Sequence, residues 1–296
     1  MCKDLQEKRF LIVIEKQETR KEIFNDTKKC YQSNKILINS IKNSKKYQLV
    51  ITENDNIKQT DYNIYDIPAN VIVSKKRSLE ASMEYKEQKV CILNFASATK
   101  AGGGVEKGAN AQEEAICRCS TLYPCISDRE IVNQFHNKHR ELLKTGKLNA
   151  LYNDDCIYTP NVIVFKTDTN NPELMAEKDW YKIDVISCAA PNLRRKPSNT
   201  MNPNSGKAVD IEANTLLNLH IKRIKKVLDI AKANLVEVVI LGAFGCGVFQ
   251  NPPEIVAEAM AKVIKDYLYN FKTIEFAVYC STKNTKNYDV FYDKLS

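Results

Sequence analysis

Two acidic residues side by side, Glu113 and Glu114, follow the triple glycine Gly102-Gly103-Gly104, with seven residues between Gly104 and the Gln112 that precedes the pair. A carboxyl group in a closed cleft can protonate a departing oxygen and then activate water, the two acts that cleavage of a glycosidic bond requires. Three successive glycines sacrifice backbone order unless something must pass close to the main chain. Placed after the apolar run Val90 to Phe95, they would let backbone N–H groups face a phosphate or a ribose. Gln112, Glu113 and Glu114 are expected to open a helix that runs on from Ala111 to Leu122. Acidic residues in a first helical turn are also ordinary caps, worth on the order of 0.5 kcal/mol against the helix dipole. Taken alone, the pair fits that plainer reading better. Adjacent helical positions diverge by about 100°, so the two carboxyls cannot do the same job. One can touch a ribose hydroxyl while the other addresses the bond being broken.

A second glycine-rich stretch, Gly242-Ala243-Phe244-Gly245-Cys246-Gly247-Val248-Phe249, follows another apolar run and precedes Asn251-Pro252-Pro253-Glu254. Its amides could wrap a diphosphate at a helix N-terminus. Phe249 could pack on a ribose or an adenine. The spacing predicts Asn251 as N-cap, Pro252 as first helical residue and Glu254 as the reciprocal capping-box partner. A strand-to-helix turn that needs glycine for shape alone explains this stretch equally well by itself. Two rival motifs fail: Lys107-Gly108-Ala109 has the wrong order for a phosphate-binding P-loop, and G-x-G-x-x-G is missing.

These loops need elements to hold them. The chain has 296 residues, 44% of them apolar and 27% charged, enough for one large α/β domain or a smaller domain with an appendage. Residues from about Leu5 to Asn43 are expected to be helical and highly charged, with Phe10, Ile14, Ile23, Phe24, Ile36, Leu37 and Ile41 as apolar positions. Strands are expected at 71–73, 90–95, 162–165, 183–190, 236–241 and 274–279, and helices at 79–85, 211–234 and 252–269. Val- and Ile-rich strands alternating with helices indicate a sheet covered on both faces, with ligands bound beyond the carboxyl ends of the strands. We place an N-terminal helical extension over 1–60 and the main domain over 61–296.

Bulk properties narrow the partners. Net charge is +8, which favours polyanions. Charge alone does not distinguish a nucleic-acid binder from an enzyme acting on a phosphate-rich polymer, so direct nucleic-acid binding is not expected. Cys91, Cys188 and Cys280 sit in apolar runs and read as small buried hydrophobes. Cys117, Cys119 and Cys125 lack zinc-site spacing. His136 and His139 read as solvated helix residues, and no metal or cofactor is expected. No run is long and apolar enough for a membrane span. The N-terminus lacks a signal-peptide pattern, so an intracellular, cytoplasmic location is expected, or a nuclear one in a eukaryote.

The sequence Asn94-Phe95-Ala96-Ser97-Ala98, then triple glycine, seven residues and Gln112-Glu113-Glu114, resembles the signature of poly(ADP-ribose) glycohydrolases, and Arg118, Ser120, Thr121, Leu122 and Tyr123 resemble its bacterial-type branch. Ile157 to Val162, Ala189 to Leu193 and the second glycine stretch extend the likeness over roughly residues 8–282. The resemblance implies a macrodomain-like three-layer α/β/α sandwich with a mixed central sheet. It implies Glu114 as catalytic acid/base, Glu113 on a ribose, and Asn94 contacting ribose or supporting the site. It implies a binding set of Ser97, Thr99, Gly102, Gly103, Gly104, Val105 and Gln112, with Ala243, Phe244, Gly245, Cys246, Gly247, Val248 and Phe249 around the diphosphate. The implied substrate is poly(ADP-ribose) or ADP-ribosylated protein, and the product ADP-ribose. Lys100-Ala101 and Val105 depart from the family pattern, and the basic stretch Arg194 to Gly206 has no assignment. Two alternatives stay open: removal of single ADP-ribose groups, and binding of ADP-ribose without turnover.

Overall fold

The computed structural model describes residues 2–57, 63–199, 204–282 and 284–296, with side chains from residue 13 onward. In chain order the elements are α1 (Cys2–Ser33), α2 (Lys35–Tyr47), β1 (Leu49–Ile51), β2 (Asn70–Ser74), α3 (Ser78–Met83), β3 (Val90–Phe95), α4 (Gln112–Cys119), α5 (Leu122–Ile126), α6 (Arg129–Ile131), α7 (Lys138–Lys144), β4 (Cys156–Val164), β5 (Tyr181–Cys188), α8 (Ala213–Ala233), β6 (Val238–Leu241), α9 (Pro253–Ile264), β7 (Thr273–Ala277) and α10 (Lys286–Leu295). A π-helical turn, Val132–Asn137, joins α6 to α7.

The seven strands form one mixed sheet in the order β1-β4-β5-β3-β6-β7-β2. β5, β3, β6, β7 and β2 run parallel, while β1 and β4 pair antiparallel at one side. Side chains alternate between faces along a strand, and the central strands divide the core accordingly. Cys91, Leu93, Val239 and Leu241 join Ile224, Leu228, Val256, Met260 and Phe291 of α8, α9 and α10 on one face. Val90, Ile92, Val238 and Ile240 join Phe24, Leu79, Ile116 and Leu122 of α1, α3, α4 and α5 on the other. The result is the expected three-layer α/β/α sandwich.

The N-terminal helical stretch is two helices, parted at Asn34, whose side-chain oxygen accepts from the amides of Ile36 (2.9 Å) and Leu37 (3.3 Å). It is tightly joined to the rest of the fold. Phe24 lies in the core, and β1 supplies the edge strand beside β4. The side chain of Phe10 and the boundary placed near residue 60 lie outside the described residues, as do positions 200–203 of the unassigned basic stretch.

β3 and β6 are neighbouring parallel strands, paired from Val90↔Val238 to Ile92↔Ile240. Their carboxyl ends therefore open side by side, so that the two glycine-rich segments emerge from the same edge of the sheet. Phe95, at the end of β3, and Phe244, just past β6, have ring centroids 5.5 Å apart.

Candidate active site

The loop after β3 turns sharply at Gly102 (φ +66°) and Gly103 (φ +55°), left-handed conformations that suit glycine. Both carboxyls crowd against the second. A Cβ at Gly103 would stand 2.6 Å from Glu114 Oε1 and 3.2 Å from Glu113 Oε2, so a side chain there would push the Glu114 carboxyl aside. Glu114 lies at the third position of α4. Its Oε2 accepts the N–H of Ala111, the N-cap, at 3.0 Å. Its Oε1 accepts the N–H of Gly104 at 2.8 Å. The plain capping role is therefore real, and it also fixes the carboxyl under the triple glycine.

Glu113 turns toward the start of the loop, where its Oε2 accepts the N–H of Ser97 at 2.8 Å. Both glutamates are buried. Burial, and next the charge of Glu114, push Glu113 up to about 8 against the smaller pull of the Ser97 amide, the Asn94 side chain and the Gly102 amide. Glu113 Oε1 is buried and makes no hydrogen bond. Three other orphaned side-chain atoms belong to this region: Asn94 Oδ1, Thr99 Oγ1 and His136 Nε2. Unmet polar atoms gathered at one place are costly, and they mark a spot where a polyhydroxylated ligand can supply the missing partners.

Gln112 spends both of its amide hydrogens and one lone pair of its oxygen inside the fold. It accepts from Phe95 N (2.7 Å) and donates to Leu93 O (2.8 Å) and Ser78 Oγ (2.9 Å), bracing α4 against β3 and α3. Val105 is fully buried in the core, and its N–H is bonded to Gly102 O at 3.0 Å. It shapes the loop from behind. Asn94 Nδ2 donates to Ser187 Oγ across the β3–β5 pair at 2.9 Å.

In the loop after β6, Gly245 takes φ +77°. Among the described residues, the amides of Gly245, Gly247, Val248 and Phe249 have no backbone acceptor. Unpaired N–H groups gathered ahead of α9, interrupted only by that of Cys246, which is bonded to Ala243 O at 3.1 Å, form an anion-binding concavity. Gly247 has open space where a Cβ would stand, and Val248 is exposed. Phe244 is the exception, a fully buried floor packed on Phe95 and His220. Burial pushes the Cys246 thiol up, so it stays protonated. Phe249 packs near Tyr152, with centroids 6.3 Å apart, and joins the small cluster of Ala98 and Ala189 that bridges the two loops.

Several positioning residues were not foreseen. Asn251 does not cap α9. The N-cap is Pro252 and the helix starts at Pro253. Asn251 Nδ2 instead donates to Pro191 O (2.7 Å) and Gly245 O (3.1 Å), while its Oδ1 accepts from His220 Nε2 (2.9 Å). Burial lowers His220 to about 4, which leaves it neutral. His136 and His139 are buried, not solvated. The π turn aims His136 Nδ1 at Ala98 O (3.2 Å), and Arg140, one turn on, donates to Thr99 O (2.9 Å). Burial holds His136 near 3, so Nδ1–H donates and Nε2 is an open acceptor. Arg223, fully buried, pairs with Asp154 at 2.9 Å and donates to Ala189 O at 2.7 Å, fixing the loop that faces Gly245. No sequence spacing links these partners, and Arg223, set among Lys222, Lys225 and Lys226, gives no local sign of burial.

Among the described residues, no group of three or more His, Cys, Asp or Glu could hold a metal ion. No described helix is long and apolar enough to cross a membrane.

No curated protein sequence matches the chain. In structure it is similar to poly(ADP-ribose) glycohydrolase (PARG) from Thermomonospora curvata, with TM-score 0.78 and 24% identity over 94% of this chain and 100% of that one. The same enzyme bound to the inhibitor ADP-HPD aligns at TM-score 0.75, with 24% identity and the same coverage of both chains. PARG from Deinococcus radiodurans in complex with ADP-ribose aligns at TM-score 0.71 and 23% identity, over 86% of this chain and 96% of that one. These likenesses establish the fold. The family profile described as microbial-type PARG, catalytic domain, matches residues 14–167, more than half of the chain. The chain belongs to the microbial-type poly(ADP-ribose) glycohydrolase family and is a glycosidase-type hydrolase.

Proposed function

We propose that this enzyme releases ADP-ribose from poly(ADP-ribose) with Glu114 as general acid and base, Glu113 as its proton-sharing partner, and the Gly245–Phe249 amides as the diphosphate cradle. The observation that carries the reading is the pair of buried carboxyls pressed on Gly103, one with an unpartnered oxygen, beside a second loop with four free amides. PARG structures that hold ADP-ribose or ADP-HPD share this fold, which supports placing the same kind of ligand across the two loops.

The chemistry follows from the proton count. At neutral pH Glu113 carries a proton. A hydroxyl of the bound ribose meets Glu113 Oε1 and bridges the two carboxyls. The proton passes across it to Glu114, which delivers it to the ribose oxygen leaving the anomeric carbon. The oxocarbenium-like centre is captured by water, which gives its proton back to Glu114. The pair ends with one proton, as it began. Positive potential at the N-termini of α4 and α9 suits the Glu114 carboxylate and a diphosphate respectively. A cavity of about 650 Å³, walled in part by Arg140 and Lys144, opens next to the loop that Arg140 holds and has room for more of an anionic chain.

The test is Glu114→Gln. It keeps the size of the side chain and one acceptor for the backbone amides. Calorimetry should show ADP-ribose bound within a few-fold of wild type, and chromatography should show no ADP-ribose released from automodified polymer. Turnover near that of wild type would mean that Glu113, with its unpartnered oxygen, is the acid.

A further inference from the structure

Helix α1 grips the loop that carries the triple glycine at three places. Arg20 Nε donates to Gly108 O at 2.6 Å. Gly108, at φ +72°, ends the short turn Val105–Lys107, and a Cβ there would overlap the backbone carbonyl of Gln17. The helix backbone therefore rests directly on this glycine. One turn on, Phe24 meets Tyr123 edge to face with centroids 4.9 Å apart, and Tyr123 packs against Gly102 so closely that a Cβ there would stand 2.7 Å from its ring. One further turn on, Thr27 Oγ1 donates to Arg118 O at 2.6 Å. Arg118 in turn reaches back to Ala109 O (2.7 Å) and Asn110 Oδ1 (2.8 Å).

The segment from Gly102 to Asn110 is thus pinned at its start, at Gly108 and at its end. Ala109 N closes it on Gly104 O at 3.1 Å. Gly104, inside the segment, and Ala111, next after it, give the two amides that hold Glu114. Covering the core explains Phe24, which is buried, but not Arg20, whose guanidinium spends its hydrogen bond on a loop carbonyl of the site. We propose that α1 is a positioning element of the active site, with Arg20 and Gly108 as positioning residues that set the Gly104 and Ala111 amides on Glu114. This rests on the reading of Glu114 given above, and its test is chosen to stand apart from that reading.

The experiment uses the full chain with Arg20→Ala, Gly108→Ala and, as control on the same helix, Lys21→Ala, whose side chain pairs, among the described residues, only with exposed Glu18. Three quantities are measured: kcat and KM on poly(ADP-ribose), the ADP-ribose Kd by calorimetry, and amide hydrogen exchange by segment. A misplacement of the order of 1 Å costs about 100-fold. Arg20→Ala should therefore lower kcat by roughly 10- to 100-fold, with Kd changed less than about threefold because the diphosphate loop is untouched. Exchange across 102–111 should quicken while exchange across 243–251 stays as in wild type, and Lys21→Ala should change none of these. If Gly108→Ala does not fold, Arg20→Ala still decides. Unchanged kcat and exchange in Arg20→Ala would overturn the proposal. So would quicker exchange throughout the molecule with parallel loss of ADP-ribose binding, since that is a general structural role. If Glu114→Gln proves active, the assignment of the acid fails, yet the exchange data on 102–111 still decide whether α1 holds the loop.

Discussion

Replacing Glu113 by Gln removes a buried group whose folded-state pKa is raised to about 8 from an ordinary 4.5. The consequence for stability has a definite sign. Between those two values the folded protein keeps a proton that the unfolded chain has released, so the folded state binds more protons and stability falls as pH rises. The contribution is fully retained below about pH 4.5, and its loss is complete only once pH has passed about 8. Over the interval from pH 6 to pH 9, roughly two pH units of that window act on the wild type, which at about 1.4 kcal/mol per unit is a loss of about 2–3 kcal/mol. Glutamine cannot ionise and escapes this loss. A protein of this size shifts by about 2 °C per kcal/mol, so the wild type should lose roughly 5 °C more in Tm than Glu113→Gln between pH 6 and pH 9. Other titrating groups act on both proteins and cancel in the difference. Thermal melts of the two proteins side by side in matched buffers read it directly. Parallel Tm–pH curves would refute the reasoning, because they would show that Glu113 ionises as easily in the fold as in water.

Two glycines should divide catalysis from binding. Gly103→Ala puts a methyl 2.6 Å from Glu114 Oε1 at a positive φ, costing about 1–2 kcal/mol in backbone strain. Its kcat on polymer should drop on the order of 100-fold as the carboxyl is displaced, and steady-state rates within threefold of wild type would show that Gly103 does not set the acid. Gly245→Ala puts a methyl 2.5 Å from Asn251 Nδ2 and 2.6 Å from Ala190 Cβ, forcing the amide cradle open. Its ADP-ribose Kd should rise about tenfold or more, roughly 1.4 kcal/mol, while kcat at saturating polymer stays within a few-fold. Calorimetry showing tight binding by this variant would move the diphosphate elsewhere.

What could be read from the sequence was what is locally determined. Gly102, Gly103 and Gly245 announce themselves because the need for positive φ is met within the residue. The strand runs at 90–95 and 236–241 announce themselves because a strand covered on both faces is apolar at every position. The apolar pattern marks β4 only from Val162, although the strand starts at Cys156. Its first half lies beyond a register shift between Thr159 and Val162, and Pro160 and Asn161 mask the continuity. Helices α5, α6 and α10 have no counterpart in the sequence pattern, and α7 shows in it only through the helical reading of His136 and His139. Asn251 shows the limit most clearly. Its spacing to Pro252 and Glu254 fits a cap, but its partners are Pro191, Gly245 and His220, and a hydrogen bond across 60 residues outcompetes the local one. From sequence His136 and His139 read as solvated helix residues, because burial of a neutral imidazole depends on which carbonyl the fold sets before it.

Why the site uses two carboxyls follows from its position. A single glutamate at the third residue of α4, fixed by the Ala111 and Gly104 amides, is accounted for as a helix cap and nothing more. Its neighbour changes the arrangement. Glu113 points about 100° away around the helix, into the loop after β3, where burial leaves one oxygen without a partner. There the repulsion of Glu114 adds to desolvation and keeps a proton in the cleft at neutral pH. The cap supplies rigidity and the orphaned carboxyl supplies the proton. Neither does both: Glu114 is held still by one backbone N–H on each oxygen and keeps a second lone pair on each for the reacting oxygens, while Glu113, with one oxygen unpartnered, is held at a single point. Gln112 completes the division by spending its whole side chain on β3 and α3. The three successive side chains of the motif thus brace, store and position, and exchanging any two would break a different one of these tasks.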